Sequence, residues 1–255
     1  MVSSANKNQA IEFASILNKN RGTYTFSDEN GEFNISGVLG DSLEIKHISY
    51  KPYQGLLTTN ISFELDPNFN ELPEIIISRN NKPVIKNNIN TKNSSVYGLG
   101  LDRIYAFKIK NEIKSKAISI KIPIKFKRNF SSEGKIIIQF LKNISDSISE
   151  PLSKQYAIEL SEIEGLKFIN LNFDKDNIIF PNQYFFITIQ RIVLNKVFNK
   201  NKSLSVNPFF YYEESNKEHV FYVKSIFKSK WFELNRTNHL FTPELQMKLI
   251  SEKLY

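Results

Sequence analysis

Apolar and polar residues alternate with a period of two along much of this chain, which is the pattern of half-buried β-strands. The clearest case is KAISIKIPIKFK (residues 116–127), where isoleucines and a phenylalanine alternate with serine, lysine and proline. Because Pro123 lacks a backbone N–H, this segment predicts an edge strand or a bulge. Similar short runs separated by turn residues recur through the chain and predict an all-β protein.

Only the C-terminal tail predicts a helix. Its signals are an N-cap residue, a proline at the first helical position, an acidic first turn and three apolar residues on one face. These residues are Thr242, Pro243, Glu244, Leu245, Leu249 and Ile250.

The chain divides by composition into two strand-rich regions. Residues 79–95 are polar, rich in Asn and Lys and without periodicity, and they are the predicted linker. Residues 1–78 carry five basic and ten acidic side chains, a net charge of −5, whereas residues 79–255 carry 29 basic and 16 acidic side chains, a net charge of +13. This asymmetry favours two modules, 1–78 and 96–255, with different surfaces.

Composition narrows the function classes. The chain contains no Cys, which excludes disulfides, thiol nucleophiles and thiolate metal sites. It has no apolar run of membrane-spanning length, so we expect no transmembrane segment. A net charge of +8 suits nucleic acid, anionic lipid or acidic partners, but a solvated, lysine-rich surface also explains it. We favour the solvated surface and expect no nucleic-acid partner.

The segment TFSDENGEFNIS (residues 25–36) has two interpretations. Asp28, Asn30 and Gly31 alternate as calcium ligands do, and Asn-Gly is also a hairpin turn between two β-prone runs. An EF-hand register would place Phe26 at the first ligand position and Gly37 at the last, where carboxylates are needed. The pattern therefore favours a hairpin over residues 23–36.

Four segments of the first region carry a family resemblance. They are AIEFASI (10–16), GTYTFSDENGEFNI (22–35), GDSLEIKHISYKPY (40–53) and ELPEIIIS (71–78). Together they resemble the carboxypeptidase-regulatory-like domain, a small transthyretin-like β-sandwich found in exported proteins of Bacteroidetes-type bacteria. Ser49-Tyr50 stands where the family has a Gly-Tyr pair, and the usual first strand is nearly absent.

The resemblance implies a fold and a location. We expect a small transthyretin-like sandwich at 1–78, then a larger jelly-roll-like β-sandwich at 96–255 with a short C-terminal helix. It also implies export to the periplasm or outer-membrane surface, with a signal peptide upstream of the given sequence. It does not imply peptidase activity.

The residues favour no catalytic, cofactor or metal site. The histidines are His47, His219 and His239, and none has a zinc-peptidase spacing. No nucleophile elbow is present, and Gly98–Arg103 carries only part of a dinucleotide-binding pattern. Neighbouring acids such as Asp174 and Asp176 could in principle support carboxylate catalysis in a cleft, but this is the least favoured function. We therefore expect a protein that is not an enzyme and takes no cofactor.

Three sets of residues are candidates for binding or modification. The first is aromatic and suits sugar stacking, although alternate core and surface positions of two paired strands are the favoured interpretation: Tyr211, Tyr212, Tyr222 and Trp231. The second is the basic face of the 116–127 strand: Lys121, Lys125 and Lys127. The third is Ser147 in Asp-Ser-Ile, a candidate O-glycosylation site.

The leading hypothesis is a non-catalytic accessory or scaffold protein of the cell envelope that binds another outer-membrane or periplasmic protein. The alternative is a carbohydrate-binding surface protein that uses the exposed aromatics of the C-terminal sandwich.

Overall fold

The structure is a computed structural model that describes residues 1–5, 9–59, 62–67, 84–86, 95–127, 133–144, 149–199, 205–215, 221–228, 230–233, 240–243 and 245–251. Nearly all regular structure in this part of the chain is β, which confirms the all-β sandwich prediction. The strands are β1 (Val2–Ser4), β2 (Ser15–Asn18), β3 (Thr23–Phe26), β4 (Ser42–Lys46), β5 (Tyr53–Leu56), β6 (Phe63–Leu65), β7 (Val84–Lys86), β8 (Ser95–Gly100), β9 (Arg103–Asn111), β10 (Ser115–Lys125), β11 (Lys135–Ile144), β12 (Ser149–Pro151), β13 (Tyr156–Glu159), β14 (Phe168–Asn172), β15 (Ile179–Phe180), β16 (Gln183–Ile192), β17 (Phe198–Asn199), β18 (Ser205–Ser215), β19 (Phe221–Ser225), β20 (Phe232–Glu233), β21 (Leu240–Pro243) and β22 (Gln246–Ser251).

Two large sheets form the main sandwich. The eight-stranded sheet runs β21-β18-β10-β22-β7, with β14 and β15 beside β10 and β8 beside β18. The seven-stranded sheet runs β12-β11-β16-β9-β19-β20, with β13 beside β11. Side chains of both sheets meet in one large core, to which β10 contributes Ile120, Ile122 and Ile124. Burial of these alternating side chains explains the period-two pattern of that strand.

The strand that carries Pro123 is not at an edge, contrary to one of its two interpretations. β10 pairs with β14 on one side and with β22 and then β18 on the other. Pro123 lies between Lys121, the last partner of β22, and Ile124, the first partner of β18. Its missing N–H therefore falls where the neighbouring strand changes. The predicted bulge exists, but it lies at Ala117/Ser119.

The N-terminal residues form a five-stranded sheet in the order β17-β3-β2-β4-β5. One face, with Ile16, Leu43 and Ile45, packs under the parallel β1–β6 pair. Its outermost strand on one side, β17, comes from the region after β16. Within the predicted linker, β7 pairs with β22 of the eight-stranded sheet, and most other linker residues lie outside the described part.

The opposite face of the five-stranded sheet packs on the outside of the seven-stranded sheet. Phe13, Tyr24 and Phe26 join Ile137 and Ile192 in one apolar cluster. The seven-stranded sheet is therefore covered on both faces, which explains why eight consecutive residues of β16 are buried.

The predicted C-terminal helix is wrong. Residues Leu240–Pro243 and Gln246–Ser251 are strands, β21 and β22. Leu245, Met247 and Leu249 are buried while Gln246 and Lys248 are more exposed, so the relevant period is two. The single helical turn described here is α1 (Leu160–Ile163), which buries Leu160 and Ile163. In the described residues, no helix is long and apolar enough to span a membrane.

The predicted 23–36 hairpin is half right. Asp28 closes a turn, since its Oδ1 accepts the N–H groups of Asn30 and Glu32 and Gly31 has φ 73°. No strand follows, because the carbonyl of Gly31 accepts the N–H of Val2 and the next residues cover the core under β1. The partners of β3 are β2 and β17.

Gly31 gives a test of this local geometry. A methyl group there would collide with the carbonyl oxygen of Val2, in addition to the strain of a positive φ. Gly40 is a matched control, because it has φ 90° with open space around its Cα. We expect Gly40→Ala to lower the free energy of unfolding by about 1–2 kcal/mol. Gly31→Ala should cost roughly 1 kcal/mol more, measured by urea denaturation. Equal losses would contradict the packing of Gly31 against β1.

Candidate functional site

A cavity of about 410 Å³ lies at the junction between the five-stranded and seven-stranded sheets. We call it the junction cavity. Residues 9–12 together with His47, Ser49 and Tyr50 form one wall, and Gln139 with residues 151–155 forms the other. Its volume lies in the range of small-molecule sites.

Gln139 is the most constrained polar group of the cavity. It lies on β11 and is 2% exposed. Its Nε2 donates to Ser49 Oγ at 3.1 Å and to the carbonyl of Ser153 at 3.0 Å. These two bonds fix the orientation of the amide. Its Oε1 is buried and accepts no hydrogen bond from the described residues.

His47 forms the facing wall as a neutral imidazole. Its Nδ1 accepts the N–H of Ser49 at 3.1 Å, and its ring meets that of Tyr50 edge to face. Desolvation lowers the pKa of His47 to about 4, against a smaller opposing effect of its hydrogen bond with Gln155.

Two side chains of opposite charge, Glu12 and Lys154, line the junction cavity. Burial raises the pKa of Glu12, partly offset by Lys135. Lys154 is held by Asp176, with Nζ 3.1 Å from Oδ1. The lining therefore carries no net charge, and its polar character comes mainly from amides.

A second cavity, of about 550 Å³, is lined by both layers near residues 227–232. It is rich in lysine, but Glu44 lies 2.9 Å from Lys46 Nζ and 3.7 Å from Lys19 Nζ. Lys46 Nζ also donates to the carbonyl of Ile226 at 3.3 Å, across the layer contact. The ion pairs lie within the five-stranded layer, whereas the hydrogen bond from Lys46 to Ile226 links that layer to the seven-stranded sheet.

The four candidate aromatics do not form one platform. Tyr211 and Tyr212 lie on β18 of the eight-stranded sheet. Tyr222 and Trp231 instead pack on the outer face of the seven-stranded sheet, against Phe186 and neighbouring apolar residues. The indole nitrogen of Trp231 is buried without a partner among the described residues.

The predicted basic face is part of the sandwich surface. Lys121 lies over the ring of Phe168, with Nζ 4.1 Å from the ring centroid, and Lys127 lies 3.9 Å over that of Phe209. Lys125 is exposed at the end of β10. Two of the three lysines therefore contact rings of their own chain. Ser147 lies outside the described residues.

Asp41 has a structural role in the turn that precedes β4. Its Oδ2 accepts hydrogen bonds from Asn18, from Arg21 and from the N–H of Val38. These bonds lower its pKa to about 2. The described residues contain no group of three or more His, Cys, Asp or Glu side chains that could hold a metal ion.

No protein-family model matches the chain, and no curated protein matches it either. The carboxypeptidase-regulatory-like resemblance therefore stays a prediction.

Gln139 and Gln155 belong to none of the motifs found in the sequence, and His47 stands there only as a histidine without zinc-peptidase spacing. One signal was available, because Gln139 interrupts the apolar run IIIQFL, where a polar residue is expected to need a partner. No local sequence pattern predicts that residues 9–12, 47–50 and 151–155 come together around the cavity.

His47 gives the junction a testable pH dependence. Its folded pKa is about 4, below the ordinary value of 6.5, so between these values the unfolded chain binds a proton that the folded chain does not. Stability should therefore fall as pH falls through this window, with a slope from this residue of up to about 1.4 kcal/mol per pH unit.

The test compares the wild type with His47→Asn, which keeps an acceptor near Ser49 but does not titrate. Glu12 contributes the opposite sign, because its raised pKa favours proton uptake on folding, but it is present in both proteins. Urea denaturation between pH 4 and 7 should show a flatter pH dependence for the variant. Parallel curves would contradict a neutral, partly buried His47.

Proposed function

We propose that this chain is a non-catalytic binding protein of the cell envelope that docks an extended segment of another envelope protein. One observation carries the proposal: three exposed aliphatic residues lie on adjacent backbone segments at the outer edge of the five-stranded sheet. They are Val38, Leu39 and Leu56, which are 56%, 66% and 58% exposed, and we call them the apolar corner.

Backbone hydrogen bonds hold the apolar corner in place. The N–H of Asp41 donates to the carbonyl of Val38, which closes a tight turn with Leu39 at its tip. The N–H of Gly40 donates to the carbonyl of Leu57, and the N–H of Leu57 donates to the carbonyl of Asp41. The turn is therefore fixed beside the end of β5, so a partner meets a rigid surface with little ordering cost.

The neighbouring strand suits strand addition. β5 is the outermost strand of the five-stranded sheet on this side in the part that the structure describes, and most of its residues are exposed. An edge strand offers main-chain donors and acceptors to a partner strand, and apolar side chains beside it supply specificity. The envelope location is supported by the family resemblance of the first eighty residues.

Site-specific photo-crosslinking tests the docking surface. A photoreactive residue at Leu39, introduced into the protein in its native cells, should give one discrete crosslinked species, because the corner is covered by the partner. Leu166 is a matched control, since it is an aliphatic residue of similar exposure, 50%, on the sandwich. Leu39→Glu should reduce recovery of the partner at least tenfold, because a charge cannot be buried there, while Leu166→Glu leaves recovery unchanged.

The proposal would be wrong if position 39 gives no crosslink, or if positions 39 and 166 give the same products. Circular dichroism and urea denaturation of both glutamate variants show whether they remain folded. A folded Leu39→Glu protein that retains its partner would also contradict the proposal.

Cell fractionation tests the location separately. The natural protein, expressed from its own gene, should be recovered from the periplasm or the outer membrane, as the resemblance of residues 1–78 implies. Recovery from the cytoplasm would refute the location without affecting the crosslinking result.

A further inference from the structure

The second cavity, of about 550 Å³, has the charge of an anion-binding site, and we call it the lysine cavity. Its described lining residues include four lysines and a single acid, which gives the lining a net charge of +3. These residues are Lys19, Lys46, Lys228, Lys230 and Glu44. The junction cavity, by contrast, has a lining without net charge. No residue of the apolar corner lines the lysine cavity, so this site is separate from the proposed docking surface.

The lysines of this cavity come from two layers of the molecule. Residues 1–78 have a net charge of −5 and contain only five basic side chains, yet two of these five, Lys19 and Lys46, line the cavity. The other two, Lys228 and Lys230, lie between β19 and β20 of the seven-stranded sheet. Like charges gathered in one cavity repel each other, and a bound anion relieves that repulsion.

Glu44 does not neutralise the lysine cavity. Its Oε2 lies 2.9 Å from Lys46 Nζ, and its Oε1 accepts a hydrogen bond from Gln54 Nε2 at 3.2 Å. Lys19 Nζ lies 3.7 Å from Oε1, which is longer than a hydrogen bond. The one carboxylate of the lining is therefore engaged mainly by Lys46. The ammonium group of Lys19 keeps the capacity to donate hydrogen bonds to a ligand.

Lys228 adds a second ammonium group in the same position. Its Nζ lies 4.9 Å from the ring centroid of Phe232, and it forms no ion pair with a carboxylate of the described residues. Phe232 is 48% exposed and lines the cavity together with Phe227 and Leu17. Apolar side chains around charges of one sign lower the local dielectric constant and strengthen the attraction of an oppositely charged ligand.

We infer that the lysine cavity binds a phosphate-bearing ligand, with Lys19 and Lys228 as its principal contacts. Lysine ammonium groups bind phosphate as point charges, whereas arginine is the residue of planar, bidentate carboxylate recognition, and the described lining contains no arginine. A phosphate group with more than one negative charge also matches the net charge of +3 better than a single carboxylate. The group belongs either to a soluble molecule or to a lipid headgroup, and the experiment distinguishes these two sources.

The primary experiment is a calorimetric titration of the full chain with inorganic pyrophosphate. It is carried out at an ionic strength of about 0.15 M, where attraction between exposed, distant charges is largely screened. We expect saturable binding at one site. The melting temperature should rise with pyrophosphate concentration, because the ligand binds the folded chain and its contacts lie on both layers.

Two variants and a control make the result specific. Lys228→Ala and Lys19→Ala should each weaken pyrophosphate binding at least fivefold, because each removes one positive charge from a partly enclosed site. Lys125→Ala removes the same charge from the exposed end of β10 and should bind as the wild type does. Circular dichroism and urea denaturation show that each protein is folded, and Lys228 is an exposed residue whose replacement leaves the core intact.

A flotation assay with phosphatidylcholine vesicles, with and without phosphatidic acid, identifies the source of the phosphate group. If the natural ligand is a lipid headgroup, the protein floats only with the vesicles that contain phosphatidic acid, and excess pyrophosphate releases it. If the ligand is soluble, pyrophosphate binds in the calorimeter and the protein does not float with either kind of vesicle.

The inference is overturned if pyrophosphate gives no saturable binding to the wild type. It is also overturned if Lys228→Ala, Lys19→Ala and Lys125→Ala bind equally well, because the attraction would then be a property of the net charge and not of this cavity. The apolar corner is unchanged in all of these proteins, so failure here leaves the crosslinking test intact.

Discussion

The seven-stranded sheet is buried on both faces, and the rest of the structure depends on that constraint. Its inner face contributes to the large core through β9, β11 and β16, and its outer face carries the N-terminal layer. That layer shields Ile137 and Ile192 from water with the aromatic side chains of Phe13, Tyr24 and Phe26. Without this cover, the outer face would expose a contiguous apolar surface of the kind that soluble monomers rarely show.

Double burial also explains why polar residues matter so much in the middle layer. Thr188 and Gln139 are almost fully buried, and Thr188 Oγ1 donates to the carbonyl of Gln139 at 3.0 Å. Polar groups in such a layer need partners on the facing surface. Ser49 supplies one across the contact, so the position of the N-terminal layer and the orientation of Gln139 are set together.

Much of the fold can be predicted from the sequence because strand periodicity is a local property. The alternation of apolar and polar residues in β10 indicates a strand that is covered on one face. The continuous apolar runs of β11 and β16 indicate strands that are covered on both faces. The helix prediction for the C-terminal tail was wrong because it relied on capping residues and a proline. Pairing of β22 with β10 and β7 decides the structure there. Pairing over such sequence distances has no local signature.

The apolar corner and the junction cavity lie at opposite ends of β4, and no local pattern in the sequence predicts this placement. Residues 38–41 precede that strand and residues 47–50 follow it, so a five-residue strand of roughly 16 Å separates the apolar corner from the junction cavity. β4 is paired on both sides, to β2 and to β5. A strand held in this way keeps the two surfaces at a constant separation.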